Sequence, residues 1–110
     1  MAYRVVITPV AKRQLDQYVG YTASILKNRT AAKRILEDAK QTKKRLADVA
    51  ESLALCPNEL LAKYGYRRIF FDKHDYFMVY RVEEKKVIVD AMYHELQDYE
   101  AVFADQMNLE

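Results

Sequence analysis

The chain has 110 residues, 51% hydrophobic and 31% charged, with one cysteine, no tryptophan and a formal charge of +2. That is enough apolar material for the core of a single domain, residues 1–110, and too short a chain for two. No apolar run reaches the roughly 20 residues that span a bilayer. The start MAYRVVITPVAKRQ lacks the basic-then-apolar pattern of a secretory signal, and a lone Cys56 allows neither an internal disulfide nor a thiolate metal site. A cytoplasmic protein with no membrane contact, no cofactor and no metal is the expectation.

Residues 3–7 are a β-branched run that predicts a first strand. Thr8 and Pro9 then supply a helix cap and a residue suited to the first helical position. Ala11, Leu15, Tyr18, Val19, Thr22, Ile25 and Leu26 follow at helical spacing as one apolar face. After Lys27-Asn28-Arg29, Thr30 reads as the cap of a second helix whose stripe is Ile35, Ala39, Thr42, Leu46, Val49 and Leu53. Its steps of four and three suit a seam between packed helices, so the two form a hairpin.

Residues 55–63 read as a loop around Cys56-Pro57-Asn58, with Cys56 structural because LALCPNEL places no cation beside the thiol. From residue 64 the period changes to two, predicting strands over 64–71, 76–82 and 86–94 joined by short polar turns. Short links make these strands antiparallel neighbours. The expected fold is therefore α+β: an N-terminal strand, a two-helix hairpin and a three-stranded antiparallel meander in one sheet, with the helices on one face and the other left for function. On the middle strand Phe77, Val79 and Arg81 share one side, and Tyr76, Met78, Tyr80 and Val82 the other. Residues 100–110 are expected to be an acidic tail or a short terminal helix.

Charge is divided unevenly along the chain. Residues 1–45 hold eleven Lys and Arg against three Asp and Glu, whereas residues 46–110 hold seven against thirteen. A basic half of this kind faces either solvent, a nucleic acid or an acidic partner. The last sixteen residues carry five acids and no base, which excludes an RNA-binding arm there.

Chemistry-bearing residues concentrate between Tyr66 and Tyr99. Arginine holds phosphate through its fork geometry, histidine moves protons near neutral pH, and tyrosine donates or accepts a hydrogen bond. Arg67, Arg68 and Arg81 are the candidate phosphate clamps, although neighbours on a strand point to opposite faces, so Arg67 and Arg68 cannot both line one site. His94 and His74 are the only histidines. No Gly-rich phosphate loop, nucleophile elbow or zinc-ligand spacing is present, and His94 with Asp98 four residues on lacks a third ligand.

The ordered set YRVVITPVAKRQLDQY, a two-helix hairpin, GYRRI, a VYRV strand and a last strand ending YHELQDY resembles the RelE/ParE superfamily of type II toxin–antitoxin toxins. The resemblance runs from Tyr3 to about Tyr99. It implies a small sheet backed by two helices, a cognate antitoxin that neutralises the chain, and one of two activities in a plasmid-stabilisation type of module. RelE-like members cut mRNA on the ribosome without a metal; ParE-like members inhibit DNA gyrase. Ribosome-dependent mRNA cleavage is the first expectation and gyrase inhibition the alternative, with an inactive protein-binding homologue as a third. For cleavage the resemblance implies His94 as general acid or base, Tyr93 as an orienting or stacking group, and Arg81 and Arg68 as phosphate clamps. Arg67, Lys63, His74, Lys43, Lys44 and Arg45 complete the candidate RNA surface. In many mRNA-cleaving members the third strand reads arginine, two aliphatic residues and tyrosine, whereas this chain has Phe77, Met78, Val79 and Tyr80.

Overall fold

The computed structural model describes residues 2–110. Its elements in chain order are β1 (Arg4–Ile7), α1 (Pro9–Ser24), α2 (Arg29–Val49), α3 (Glu59–Lys63), β2 (Arg67–Phe70), β3 (Tyr76–Glu83), β4 (Lys86–His94) and α4 (Tyr99–Gln106). One sheet runs in the order β1-β4-β3-β2. The last three strands form the expected antiparallel meander, and β1 lies parallel to β4 at the other side.

Local chemistry sets the element ends. Thr8 caps α1, its hydroxyl accepting from the Ala11 N–H at 3.3 Å, with Pro9 as the first helical residue. The cap of α2 is Asn28 rather than Thr30: its side chain accepts from the Ala31 N–H at 2.9 Å, and Lys27 turns the chain with φ of 52°. An amide oxygen caps better than a threonine hydroxyl, which places Thr30 inside the helix. The same chemistry makes a helix inside the expected loop over 55–63. Asn58 accepts from the Leu61 N–H at 3.1 Å and starts α3, which ends before Gly65 at φ of 82°. That left-handed glycine delays β2 to Arg67, three residues later than the alternation suggests. At the other end of the chain α4 is the short terminal helix.

Each face of the sheet has its own core. Leu15, Ile35, Leu46, Met78, Tyr80, Val87, Val89 and Met92 pack between the sheet and the α1–α2 hairpin. Leu61, Tyr66, Phe77, Val79, Ala91, Tyr93, Tyr99 and Phe103 pack on the opposite side beneath α3 and α4. The face expected to be open for function is thus substantially covered. Apolar residues on both sides of β3 demand this, because alternating Phe77 and Val79 against Met78 and Tyr80 leaves neither side polar.

Partner residues Val79 to Ala91 and Tyr80 to Val89 leave one residue of β4, Asp90, unpaired opposite β3. This is a β-bulge, and it turns Asp90 and Ala91 toward the same face. The Asp90 carboxylate accepts from the Tyr66 hydroxyl at 3.0 Å and from Arg81 Nε at 2.9 Å. Thr8 reaches the same segment, its N–H bonding the Val89 carbonyl at 3.1 Å and its hydroxyl lying 3.5 Å from the Asp90 carbonyl. The start of α1 is therefore tied to the bulge.

A second buried acid fixes the turn between β2 and β3. Asp38 sits on the inner stripe of α2 and accepts from the Asp72 N–H at 3.2 Å, the Lys73 N–H at 2.9 Å and His74 Nδ1 at 2.7 Å. Burial opposes its ionisation, but the His74 contact and the two backbone donors outweigh that and hold its pKa below the usual value. A lowered folded-state pKa stabilises the fold above the unfolded value of about 4, and this contribution is lost as pH falls through the folded value. Asp38→Asn cannot serve three donors equally and should cost about 1–3 kcal/mol at neutral pH. Urea unfolding at pH ~7 and pH ~3 should show the gap between wild type and variant closing in acid. An equal midpoint at neutral pH would contradict the latch.

Candidate functional site

His94 and Tyr93 end β4 and point to opposite sides of the sheet. His94 lies on the hairpin side, half-buried, with its ring edge-on to Tyr76 at 5.0 Å and its Nδ1 accepting from the Leu96 N–H at 3.1 Å. Around it, the Tyr18 hydroxyl stands 3.0 Å from the Met92 carbonyl and 2.7 Å from Gln97 Oε1, which also accepts from the His94 N–H at 2.8 Å. Burial, then the neighbouring Tyr93 and Tyr76, pushes the Tyr18 hydroxyl up to about 12, so it keeps its proton at neutral pH. Tyr93 is buried under α4 against Phe77, Tyr99 and Phe103, and its hydroxyl has no hydrogen-bond partner among the described residues. Burial raises its pKa as well.

The three arginines do three different things. Arg67 donates from Nη1 to the Leu53 carbonyl and, at 3.5 Å, to that of Glu51, closing the chain that leaves α2. Arg68 faces the other side and lies 5.1–5.3 Å from the rings of Phe70, Phe77 and Tyr99, a cation–π box beside Glu95, Asp98 and Glu100. Arg81 pairs with Asp90 and Glu83. Burial works against its charge, but the Asp90 carboxylate more than compensates and raises its pKa further. Arg81 lies five positions along β3 from Tyr76, the partner of His94, which is on the order of 17 Å along the strand. His94, Tyr93, Arg81 and Arg68 thus do not converge on one surface.

Part of the candidate RNA surface does come together. Lys44, Arg45 and His74 line a groove of about 1140 Å³ between α2 and the turn before β3, along with Arg34 and Lys73. Arg45 Nη2 bonds the Phe70 carbonyl at 2.6 Å and so covers part of the outer edge of β2. Glu37, Asp48 and Asp72 line the same groove, so its charge is mixed rather than a uniform phosphate cradle. The Asp38–His74 pair has the form of an oriented acid–base device, yet the same carboxylate takes two backbone N–H groups and so also latches the turn. Lys43 lies apart, beside Lys40 and Tyr3 along β1. Lys63 sits over the Tyr64 ring at 5.6 Å.

Two residues that organise these surfaces escape motif reasoning, Asp38 and Asp90. Each carries a visible signal: Asp38 stands on the apolar stripe between Ile35 and Thr42, and Asp90 is the lone acid inside VIVDAMY. A charge at a core position is buried only with partners. Cys56 is buried and burial raises its thiol pKa, so it is an inert packing residue. Among the described residues no cluster of three or more His, Cys, Asp or Glu is placed to hold a metal ion, and no helix is long and apolar enough to cross a membrane.

Comparison with known proteins agrees with the fold. A solved structure of the chromosomal ParDE TA system from P. aeruginosa superposes with a TM-score of 0.70 at 20% identity, covering 84% of this chain and 96% of that one. No curated protein matches in sequence. The family model for the ParE toxin of the type II toxin-antitoxin system, parDE, matches residues 5–99. The chain belongs to the ParE toxin family of type II toxin–antitoxin systems, within the RelE/ParE superfamily.

Proposed function

We propose that this toxin acts by occupying its target, with DNA gyrase as that target, rather than by cutting mRNA on the ribosome. The observation that carries the reading is the dispersal of the proton-transfer and phosphate-holding groups. Metal-free RNA cleavage must deprotonate a 2′-hydroxyl, stabilise charge on phosphorus and protonate the leaving oxygen, all at one phosphate. His94 and Tyr93 lie on opposite sides of the sheet, and Arg81 is committed to Asp90 at the far end of β3. Inhibition by binding needs only a complementary surface. Every Lys and Arg of α1 and α2 is exposed, which gives the hairpin a positive field suited to an acidic partner. A cognate antitoxin with an acidic segment that orders on binding fits this surface, and the module would act in the cytoplasm.

Two assays on the chain freed from its antitoxin separate the activities. Gyrase supercoiling should be blocked, while primer extension on a translated message should find it whole. His94→Gln keeps a polar side chain without the imidazole and should inhibit supercoiling as well as wild type. A message cut by wild type but spared by His94→Gln would instead install the ribonuclease reading. Tyr93→Phe removes a buried hydroxyl that has no partner and should retain inhibition with stability unchanged or raised by about 1 kcal/mol in urea unfolding. A loss of inhibition at unchanged stability would place Tyr93 at the target.

A further inference from the structure

The apolar stripe of α1 is longer than the sheet it packs on. Tyr18 is covered by Tyr76 and Gln97 at the end of the sheet. Three and seven residues on, along the same face of the helix, Tyr21 is 55% exposed and Ile25 66% exposed, with Leu26 beside them at 58%. At about 1.5 Å per residue this end of the hairpin overhangs the sheet by on the order of 10 Å. The tip is basic, with Lys27 and Arg29 both exposed.

Next to the overhang is a second exposed patch of opposite charge. The segment joining β4 to α4 carries Glu95, Leu96 and Asp98, and Leu96 is 91% exposed, the most exposed large apolar side chain among the described residues. The 2.7 Å contact between the Tyr18 hydroxyl and Gln97 brings this segment to the base of the overhang. Among the described residues none of Lys27, Arg29, Glu95 and Asp98 takes part in an ion pair. One end of the molecule therefore presents an apolar stripe with a basic tip beside an apolar knob with acidic flanks.

From this we infer that the free chain pairs with a second copy of itself through this end, the hairpin overhang of each copy lying on the β4–α4 corner of the other. A two-fold contact uses the same surface twice, so it must be self-complementary. A patch of one sign would repel its copy; this one sets Lys27 and Arg29 against Glu95 and Asp98 across the axis while Ile25 and Leu26 meet Leu96. Few large side chains are available compared with the roughly 800 Å² per partner of a standard interface, which makes a weak, reversible dimer that an antitoxin can displace. This pairing is independent of whether the target is gyrase.

Sedimentation equilibrium on the full chain freed from antitoxin, from about 1 μM to about 500 μM, reads it directly. The expected result is a monomer–dimer equilibrium that weakens with salt. Ile25→Glu should weaken it by about tenfold or more. Arg29→Glu should also weaken it, and adding Glu95→Arg in the same chain should restore it, because each charge meets its opposite on the other copy. All three positions are exposed, so circular dichroism should show unchanged folding. A monomer at every concentration, or a dimer indifferent to these changes, overturns the inference; in the first case the overhang is left to the antitoxin.

Discussion

One extra residue in β4, Asp90, governs how the two sides of the sheet are assigned. On β4 before the bulge, Val87 and Val89 face the hairpin; after it, Ala91 and Tyr93 face α4, and Met92 faces the hairpin. Without the insertion the alternation would carry Tyr93 to the hairpin side and His94 to the α4 side. A carboxylate in this position is buried and has to be paired. Tyr66 and Arg81 do so, one from the segment leading into β2 and the other from β3. Three parts of the chain therefore meet on this side chain, and Thr8 ties the first helix to the backbone carbonyls of Val89 and Asp90 in the same bulge.

The elements whose signal is periodic could be read from the sequence. The β1 run, the α1 and α2 helices and the order of the three-strand meander follow apolar spacing, although β2 starts later than expected and Leu53 lies beyond the end of α2. The two sides of β3 are as alternation predicts. What stayed hidden depends on contacts distant in sequence. The bulge is a pairing event between β3 and β4 and leaves no period of its own. The cover on the second face comes from α3 and α4, two short helices whose strength lies in Asn58 as a cap and in Leu61 and Phe103 as anchors rather than in a long stripe. The exposed Ile25 and Leu26 continue a real helical pattern beyond the sheet that would have buried them.

The same distinction explains the candidate site. Arginine, histidine and tyrosine in a strand-rich segment look like a phosphate-cleaving set when only their identities are known. In the fold, Arg67 closes a chain reversal, Arg81 neutralises a buried acid, Arg68 fills an aromatic box and Tyr93 is core. A sheet covered on both sides leaves its helical hairpin, its rim grooves and its corners as the surfaces on which a partner can act. Those are the surfaces that the proposed inhibition by binding would use.

The central claim is that Arg81 serves the fold through Asp90 rather than a scissile phosphate. A double-mutant cycle with Arg81→Met, Asp90→Leu and both together, followed by urea unfolding and by inhibition of gyrase supercoiling, tests it most directly. Arg81→Met strands the buried Asp90 carboxylate and should cost about 3 kcal/mol, whereas Asp90→Leu leaves a partly exposed Arg81 still paired with Glu83 and should cost less. The double variant should recover most of the Arg81→Met loss and keep its inhibition. Single variants as stable as wild type, with Arg81→Met alone abolishing activity, would contradict the account and return Arg81 to the reacting centre.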